Sequence, residues 1–289
     1  MNINSSFPSR NREPEEGVLY LVGTPIGNLS DISFRALNIL KNVFLVACED
    51  TRQTKKLMSK YSFSNKLISF NKFNSTKKIE GIINFLKNGN SIAIVSDAGL
   101  PGICDPGENL VKECKLNGID IICIPGPSAL LTALVCSGFE TSKFSFEGFL
   151  PKKLKERKDL LMQINKNKNT TIIYESPHRL LRTLKELKKY CGGGREIEVY
   201  RELTKKYEEN IGRNIDEVIR YFDKKDILGE FTIVIKGLQN KIIEDPNEVN
   251  LKNELKELIN AGLTLSAASK YLSKKENISK RTIYNLYLN

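Results

Sequence analysis

Short runs of apolar residues alternate with helical patterns through the first half of the chain, and this alternation limits the fold more than any other feature. The runs are five or six residues long and predict strands over residues 18–22, 43–47, 91–95 and 119–124. Amphipathic patterns between them predict helices over residues 32–40, 51–58, 79–86 and 110–116. Strands buried on both faces are continuously apolar, and alternation with helices is typical of a parallel sheet. The first half is therefore predicted to be α/β with a parallel sheet.

The second half of the chain loses this regular alternation. Its predicted strands cover residues 144–149, 170–174, 197–200, 209–213 and 230–235, and helices predicted over 154–164, 179–187 and 215–222 separate only some of them. A mixed sheet is therefore expected. Three helix starts carry capping signals: Asp105 before Pro106, Ser176 before Pro177, and Asn214 three residues before Glu217.

A chain of 289 residues is long enough for two domains. Residues 17–127 are expected to form an N-terminal α/β domain, and residues 128–237 a C-terminal α/β domain with the mixed sheet. A polar linker, residues 238–247, should lead into a small, basic helical tail at residues 248–289. Residues 1–16 are expected to form a flexible N-terminus.

The formal net charge of +11 is distributed unevenly, with +2 in residues 1–150 and +9 in residues 151–289. An excess of this size favours an anionic partner such as nucleic acid. The alternative is compositional drift, because the chain is rich in Lys, Asn and Ile. If the charge has a purpose, most of it lies in the second half.

Several classes of protein are disfavoured. No window holds about 18 consecutive apolar residues, so no membrane span is expected, and the polar start lacks the apolar core of a secretion signal. The six cysteines form no C-x-x-C pair, which argues against structural zinc and disulfides and favours free thiols in a reducing cytoplasm. His178 is the only histidine, so no metal site is expected, and its place in a first helical turn disfavours it as a general base.

Three loops rich in Gly and Pro follow predicted strands: Gly23–Asn28, Ser96–Gly102 and Pro125–Ser128. None has the G-x-G-x-x-G pattern of a dinucleotide site or the spacing of a phosphate-binding P-loop. Any one of them alone could be an ordinary turn. The carboxyl ends of parallel strands line one crevice, however, so three such loops indicate a binding site for a small polar cofactor.

Charged residues also follow predicted strands. Glu49 and Asp50 lie beside Arg52 and are candidates for substrate recognition or proton transfer, although Asp50 or Thr51 could simply cap the next helix. Arg201 and Lys205 follow a later strand and are either part of the same site or ordinary surface charges.

Long motifs in a fixed order connect the chain to a known family. They read LYLVGTPIGNLSDIS, ACEDTR, VSDAGLPGICDPG, PGPSALLTAL, FEGFLP, YESPHRLL and RELTK. Together they resemble the ribosomal RNA small subunit methyltransferase I family, which belongs to the tetrapyrrole methylase superfamily of class III S-adenosylmethionine enzymes. The resemblance covers about residues 17–237 and continues more weakly through the tail. Leu100 is a mild departure, since relatives often have Thr there. The chain lacks the G-x-G-x-G-D and S-G-D-P loops of simple tetrapyrrole methylases, which favours the RNA branch.

The resemblance implies two α/β domains with S-adenosylmethionine bound in the cleft between them, and a homodimer. It implies methyl transfer to the 2′-oxygen of a cytidine in the decoding centre of 16S ribosomal RNA in the small subunit. The cofactor contacts that it implies are Pro25, Ile26, Ser96, Asp97, Ala98, Gly99, Pro101, Ser128, Ala129, Tyr174 and Arg201.

The resemblance also suggests roles in the reaction, which needs no metal. A ribose hydroxyl is a poor acid, so a base or a cation should assist its attack. Asp50 and Glu202 are the candidate bases, and Lys205 and Arg52 could polarise the hydroxyl or hold a phosphate. Further phosphate contacts are expected from a basic stretch after FEGFLP and from the YESPHR motif, although a solvated helix face explains the stretch equally well. These substrate candidates are Lys152, Lys153, Arg157 and Arg179.

Two other functions stay open. A small-molecule methyltransferase acting on a tetrapyrrole is disfavoured by the basic second half. A non-catalytic RNA-binding assembly factor is disfavoured by the intact loops at three strand ends, which binding alone would not need.

Overall fold

The computed structural model describes residues 13–238, 246–276 and 278–288. Most of the expected flexible N-terminus and most of the expected linker lie outside these residues. The chain divides into two compact units, Met1–Gly237 and Leu238–Asn289.

The first sheet has five parallel strands, so the predicted parallel α/β half is confirmed. The strands are β1 (Leu19–Val22), β2 (Leu45–Cys48), β3 (Leu67–Ser69), β4 (Ile92–Val95) and β5 (Ile121–Ile124), in the order β3-β2-β4-β1-β5. In the central register Leu21 pairs with Ile94 on one side and Cys123 on the other. The sequence pattern missed β3, because it is only three residues long and half-buried.

Helices cover both faces of this sheet. They are α1 (Phe34–Asn42), α2 (Thr51–Lys60), α3 (Ser75–Lys87) and α4 (Glu108–Leu116), and α5 (Ala129–Cys136) leads towards the second sheet. Alternate strand residues supply two apolar layers. One layer contains Tyr20, Val22, Ile39, Val46 and Val95, and the other contains Leu19, Leu45, Ile82, Ile92 and Leu110.

The predicted start of α4 is wrong. The helix begins at Glu108 with Gly107 at the N-cap position and no side-chain cap, so Asp105 does not cap it. Gly107 packs so closely on the backbone of Gly102 that an added Cβ would lie 3.2 Å from the Gly102 nitrogen. This compact turn moves Asp105 away from the helix and onto the wall of a cavity.

The second sheet is mixed, as predicted. Its strands are β6 (Phe144–Phe149), β7 (Thr170–Glu175), β8 (Glu196–Arg201), β9 (Glu209–Asn214) and β10 (Phe231–Ile235), in the order β6-β7-β10-β8-β9, and only β6 and β7 are parallel.

Helices α6 (Leu154–Lys166), α7 (Pro177–Cys191) and α8 (Ile215–Phe222) accompany the second sheet. Pro177 stands at the first position of α7 but Ser176 makes no side-chain cap, whereas the Asn214 side chain accepts the Glu217 N–H as its spacing predicts. Helix α5 contributes Ala133 and Leu134 to a smaller apolar cluster with Ile26 of the first half.

The C-terminal unit is helical, as expected for the tail. It contains α9 (Pro246–Asn260), α10 (Leu265–Glu276) and α11 (Lys280–Leu288). Its core is formed by Leu255, Ala268, Leu272 and Ile283. Helix α9 begins inside the expected linker. Among the described helices, none is long and apolar enough to cross a membrane.

Candidate active site

A cavity of about 430 Å³ lies where the carboxyl ends of the first-sheet strands meet the second sheet. Its volume falls within the roughly 300–1,000 Å³ of small-molecule sites. Seven residues that the resemblance assigned to the cofactor line it: Ile26, Asp97, Ala98, Gly99, Ser128, Ala129 and Tyr174. The structure thus brings together loops that are up to 148 residues apart in the sequence.

The other four predicted cofactor contacts do not line this cavity. Pro25, Ser96 and Pro101 are buried behind its wall. The Ser96 hydroxyl donates to the carbonyl of Ala98 at 3.1 Å, so it shapes the loop from behind. The Arg201 side chain turns away, donating to the Leu228 carbonyl at 2.7 Å and pairing with Glu209 at 3.3 Å.

The first-half loops are packed into one unit. Thr24 and Gly99 exchange two backbone hydrogen bonds of 2.9 and 3.1 Å, which join the first loop to the second. The first and third loops meet at Gly23 and Gly126, where an added Cβ on Gly23 would lie 2.7 Å from the Gly126 Cα. Since neither position has room for a side chain, the loops reach a separation that only glycine permits.

A turn of the second half also reaches the first loop. The Asn28 N–H donates to the Thr204 hydroxyl at 3.0 Å, and an added Cβ on Gly27 would lie 2.8 Å from the same oxygen. Glu202 and Thr204 have φ values of 52° and 67°, a left-handed conformation that non-glycine residues rarely adopt. Bonds within the turn, such as that from Lys205 to Glu202, and the contact with the first half together hold this conformation.

Carboxylates form one side of the cavity. Glu49, Asp97 and Asp105 each have a pKa above the ordinary value, because partial burial disfavours their charged forms and neighbouring carboxylates add repulsion. The Asp97 side chain is fixed by the Asp50 N–H at 3.0 Å. Such a wall favours a cationic ligand.

Apolar and aromatic groups form another part of the cavity wall. Ile26 and Leu100 come from the first half, and the Phe149 and Tyr174 rings meet edge to face with centroids 5.8 Å apart. The Tyr174 hydroxyl accepts the Leu130 N–H at 3.2 Å, and burial raises the pKa of Tyr174 to about 12. This side offers neutral, flat surfaces to a ring.

The predicted base Asp50 has the wrong surroundings for that role. Arg52 holds its carboxylate with bonds as short as 2.6 Å, and hydrogen bonds from Arg52 lower the pKa of Asp50 to about 2. A carboxylate with so low a pKa accepts protons poorly. Asp50 and Arg52 line a second cavity of about 350 Å³, and Glu49 is shared by both cavities.

The other predicted catalytic pair, Glu202 and Lys205, forms an ion-pair group with Glu230. The Lys205 ammonium lies 2.8 Å from Glu202 and 2.6 Å from Glu230. Burial alone would raise the pKa of Glu202, but hydrogen bonds from Lys205 and the Glu230 N–H outweigh it and lower that pKa. Of these three residues only Glu230 lines the main cavity. Glu202 and Lys205 are therefore placed to position the turn of residues 202–204, here called the Leu203 turn, rather than to receive a proton.

The structure buries Arg157, which the sequence analysis named as a phosphate contact. Arg157 is only 3% exposed, and its guanidinium donates to Glu186 and Thr183, each at 2.6 Å. Arg179 is also engaged, because it pairs with buried Glu175 at 3.3 Å and donates to the Leu150 carbonyl. Lys152 and Lys153 are exposed, as a phosphate contact requires.

The resemblance left Glu49, Asp105 and Phe149 out of the predicted site. Each belongs to a quoted motif, and the charge pattern had already named Glu49 as a candidate, but for Asp105 and Phe149 the sequence pointed only to the segment. Within the described ranges, no group of three or more His, Cys, Asp or Glu side chains is arranged to hold a metal ion.

Comparisons with known proteins agree with the motifs. Residues 18–219 match the family model of Tetrapyrrole (Corrin/Porphyrin) Methylases. A Bacillus subtilis protein named ribosomal RNA small subunit methyltransferase I is 43% identical over 283 residues, which cover 96% of this chain and 97% of the relative. A Thermotoga maritima protein of the same name is 49% identical over 76% of this chain and 99% of its own length.

Solved structures share the fold at low sequence identity. A cobalt precorrin-4 methyltransferase of cobalamin biosynthesis superposes with a TM-score of 0.59 at 16% identity, over 76% of this chain and 95% of that one. A uroporphyrin-III-C-methyltransferase from Thermus thermophilus gives 0.55 at 14% identity, over 76% and 94%.

Proposed function

Because this chain belongs to the tetrapyrrole methylase family, and within it to the ribosomal RNA small subunit methyltransferase I group, we propose that it transfers the methyl group of S-adenosylmethionine to ribosomal RNA. The proposed target is the 2′-oxygen of a cytidine in the decoding centre of 16S ribosomal RNA. Its relatives are named ribosomal RNA small subunit methyltransferases, so the general activity of the group is methyl transfer to small-subunit ribosomal RNA. The observation that carries the proposal of this cofactor and reaction is the main cavity, which is lined by both carboxylates and apolar or aromatic side chains.

The cavity fits S-adenosylmethionine. The carboxylates of Glu49, Asp97 and Asp105 suit its sulfonium and ammonium charges, while the Phe149 and Tyr174 rings suit an adenine. Gly99 has a φ of +79° and no side chain, so the backbone can approach a ligand closely there. When bound, the cofactor supplies an electrophilic methyl group on a sulfonium.

The ribose oxygen would attack that carbon, so a carbon–oxygen bond forms as the carbon–sulfur bond breaks and the hydroxyl proton must leave. Glu49 is the best-placed acceptor, because it lies at the junction of the two cavities and its pKa is raised. A base with a pKa nearer to the working pH accepts a proton more effectively. Glu202 and Lys205 hold the Leu203 turn against the first loop, and the packed loops exclude water and align the reacting atoms.

The decisive experiment incubates the protein with small subunits that lack the modification and with cofactor labelled in its methyl group. Nuclease mapping should locate the label at one decoding-centre cytidine, and resistance of the adjoining phosphodiester to alkali should identify 2′-O attachment. Transfer to a base would contradict the site of attack. Label entering a porphyrinoid would support a small-molecule methylase, and failure to bind S-adenosylmethionine in calorimetry would support a non-catalytic assembly factor.

We also propose a homodimer, which Leu131 and Val135 on one face of α5 support. Both are exposed, at 47% and 68%, and lie one helical turn apart. An interface between two copies would take these apolar side chains out of water. A ribosomal RNA substrate would place the protein in the cytoplasm.

A further inference from the structure

The second cavity opens beside the first and offers room for a neighbouring part of the substrate. It has a volume of about 350 Å³ and is formed by residues 49–52 at the start of α2 and by the turn after β3, residues 69–73. Glu49 belongs to both walls. An RNA strand whose target nucleotide reaches Glu49 would therefore extend directly into this second cavity.

The rim of this cavity presents a bare aromatic ring. Phe73 is 98% exposed, more than any other large apolar side chain in the described residues. Its turn is nevertheless well held: the Asn71 side chain accepts the Phe73 N–H at 3.1 Å, and Lys72 donates to the Cys104 carbonyl at 2.7 Å. An apolar ring kept in water by a fixed backbone is preorganised for a flat partner.

A basic groove continues from the same rim along α2. Arg52, Lys55, Lys56, Ser59 and Lys60 line this groove, which we call the α2 groove, and its volume is about 590 Å³. Eight residues separate its ends, or about 12 Å along the helix. Helix α2 contains no acidic residue, so its lysines repel one another without an anionic partner.

Three lysines of the second half are in a different situation. Lys185 pairs with Asp223, Lys188 with Asp216 and Lys225 with Glu209. In contrast, Lys55, Lys56 and Lys60 make no ion pair with any acid in the described ranges. The lysines of the α2 groove therefore carry positive charge that no acid in the described ranges neutralises by an ion pair.

We propose that Phe73 and the α2 groove bind the single-stranded RNA that flanks the target nucleotide, with Phe73 stacking on one base and the lysines contacting phosphates. This inference rests on the proposed function. Proteins bind single strands through this combination of a positive groove and aromatic platforms, since every base has a face on which a ring can stack.

The test measures binding of a decoding-centre oligonucleotide and of small subunits that lack the modification. Phe73→Ala should weaken binding by roughly 5- to 150-fold, the range of a single base stack. Phe73→Trp should retain the affinity. The chain has no other tryptophan, so quenching of its fluorescence by the oligonucleotide would report the stack directly.

The groove is tested by replacing Lys55, Lys56 and Lys60 with Ser, with the matched triple replacement of Lys185, Lys188 and Lys225 as the control. The α2 variant should weaken RNA binding and flatten its salt dependence by about 0.7 in slope for each phosphate that the groove no longer neutralises. The control should bind as the unchanged protein does, and all variants should bind S-adenosylmethionine normally in calorimetry.

Three results would overturn the inference: normal binding by Phe73→Ala, unquenched fluorescence of Phe73→Trp, or equal effects of the two triple replacements. A defect with subunits but not with the oligonucleotide would also overturn it, since it would assign the surface to a ribosomal protein. These failures are distinct from failure of the proposed function, in which the unchanged protein would not label the subunits at all.

Discussion

Glu49 and Asp50 are adjacent in the sequence but have opposite electrostatic surroundings. Asp50 caps α2 and is held by Arg52, whereas Glu49 faces Asp97 and Asp105 from distant loops. The sequence alone marks the pair as chemically important. It could not divide their roles, because the groups that raise the pKa of Glu49 come from residues about 50 positions away.

Removing the proton acceptor should slow methyl transfer without emptying the site. Glu49→Gln should lower the single-turnover rate by about 10²- to 10⁴-fold, the usual contribution of a general base. Asp50→Asn should have a much smaller effect on that rate. Cofactor affinity, measured by calorimetry, should change only a few-fold in both variants, and a Glu49→Gln enzyme with the normal rate would exclude this role.

The same assignment predicts a pH dependence. A base must be deprotonated to accept a proton, so activity should fall as the pH drops through the pKa of Glu49. Since that pKa is raised, the acidic limb of the rate profile should lie at higher pH than an ordinary glutamate would give. The limb should disappear from the residual activity of Glu49→Gln, and a limb that persisted unchanged would assign it to another group.

We expect Arg157 to contribute to stability rather than to RNA binding. Arg157→Met should lower the free energy of unfolding by about 3 kcal/mol, because it leaves Glu186 and Thr183 without their buried donor. Exposed Lys155 on the same helix provides the control, since Lys155→Met should change stability by less than about 0.5 kcal/mol. Denaturant titration measures both. Unchanged stability of Arg157→Met together with weaker RNA binding would instead favour a phosphate contact at this residue.

At the scale of elements, long apolar runs were predictable and compact turns were not. The four strands that form the centre and one edge of the first sheet follow from their continuous apolar residues. Strand β3 and the start of α4 depend on tertiary contacts, the latter on the close approach of Gly107 to Gly102. The strand-end loops of the site were predictable because they are rich in Gly and Pro and directly follow those strands.

The contact between the first and third loops can be tested by adding a single methyl group at Gly23. Gly23→Ala should destabilise the protein by about 1–3 kcal/mol and weaken cofactor binding, because the new methyl group meets backbone that cannot move aside. Gly81 lies inside α3 with nothing within 4 Å of an added Cβ, so Gly81→Ala should stabilise by about 0.5–1 kcal/mol. Equal melting temperatures for the two variants would contradict this account of the loops.

For the whole molecule, net charge does not point to the surface that we propose to bind RNA. The second half has the larger excess of lysine and arginine, but acidic partners accompany many of its cations in space. The first half is almost neutral in sum and still contains the α2 groove. Sequence counts add charges over a segment, whereas a partner meets only those on one surface.

The proposed dimer leads to a prediction about assembly. Val135→Lys should give a monomer at micromolar concentration in analytical ultracentrifugation, because it places a charge in an apolar interface. Lys185→Glu, on an exposed and already paired site, should leave the assembly unchanged. A dimer that persisted in Val135→Lys would exclude the exposed face of α5 as the interface.

The left-handed turn at Glu202 and Thr204 has a consequence for the order of folding events. Each such residue costs about 1–3 kcal/mol, and the Asn28 bond that supports Thr204 joins positions 176 residues apart. That support exists only after both sheets have formed, so it should be absent from the folding transition state. Thr204→Ala should therefore speed unfolding and leave the refolding rate nearly unchanged. The bond that joins the first loop to this turn would thus form after the folding transition state.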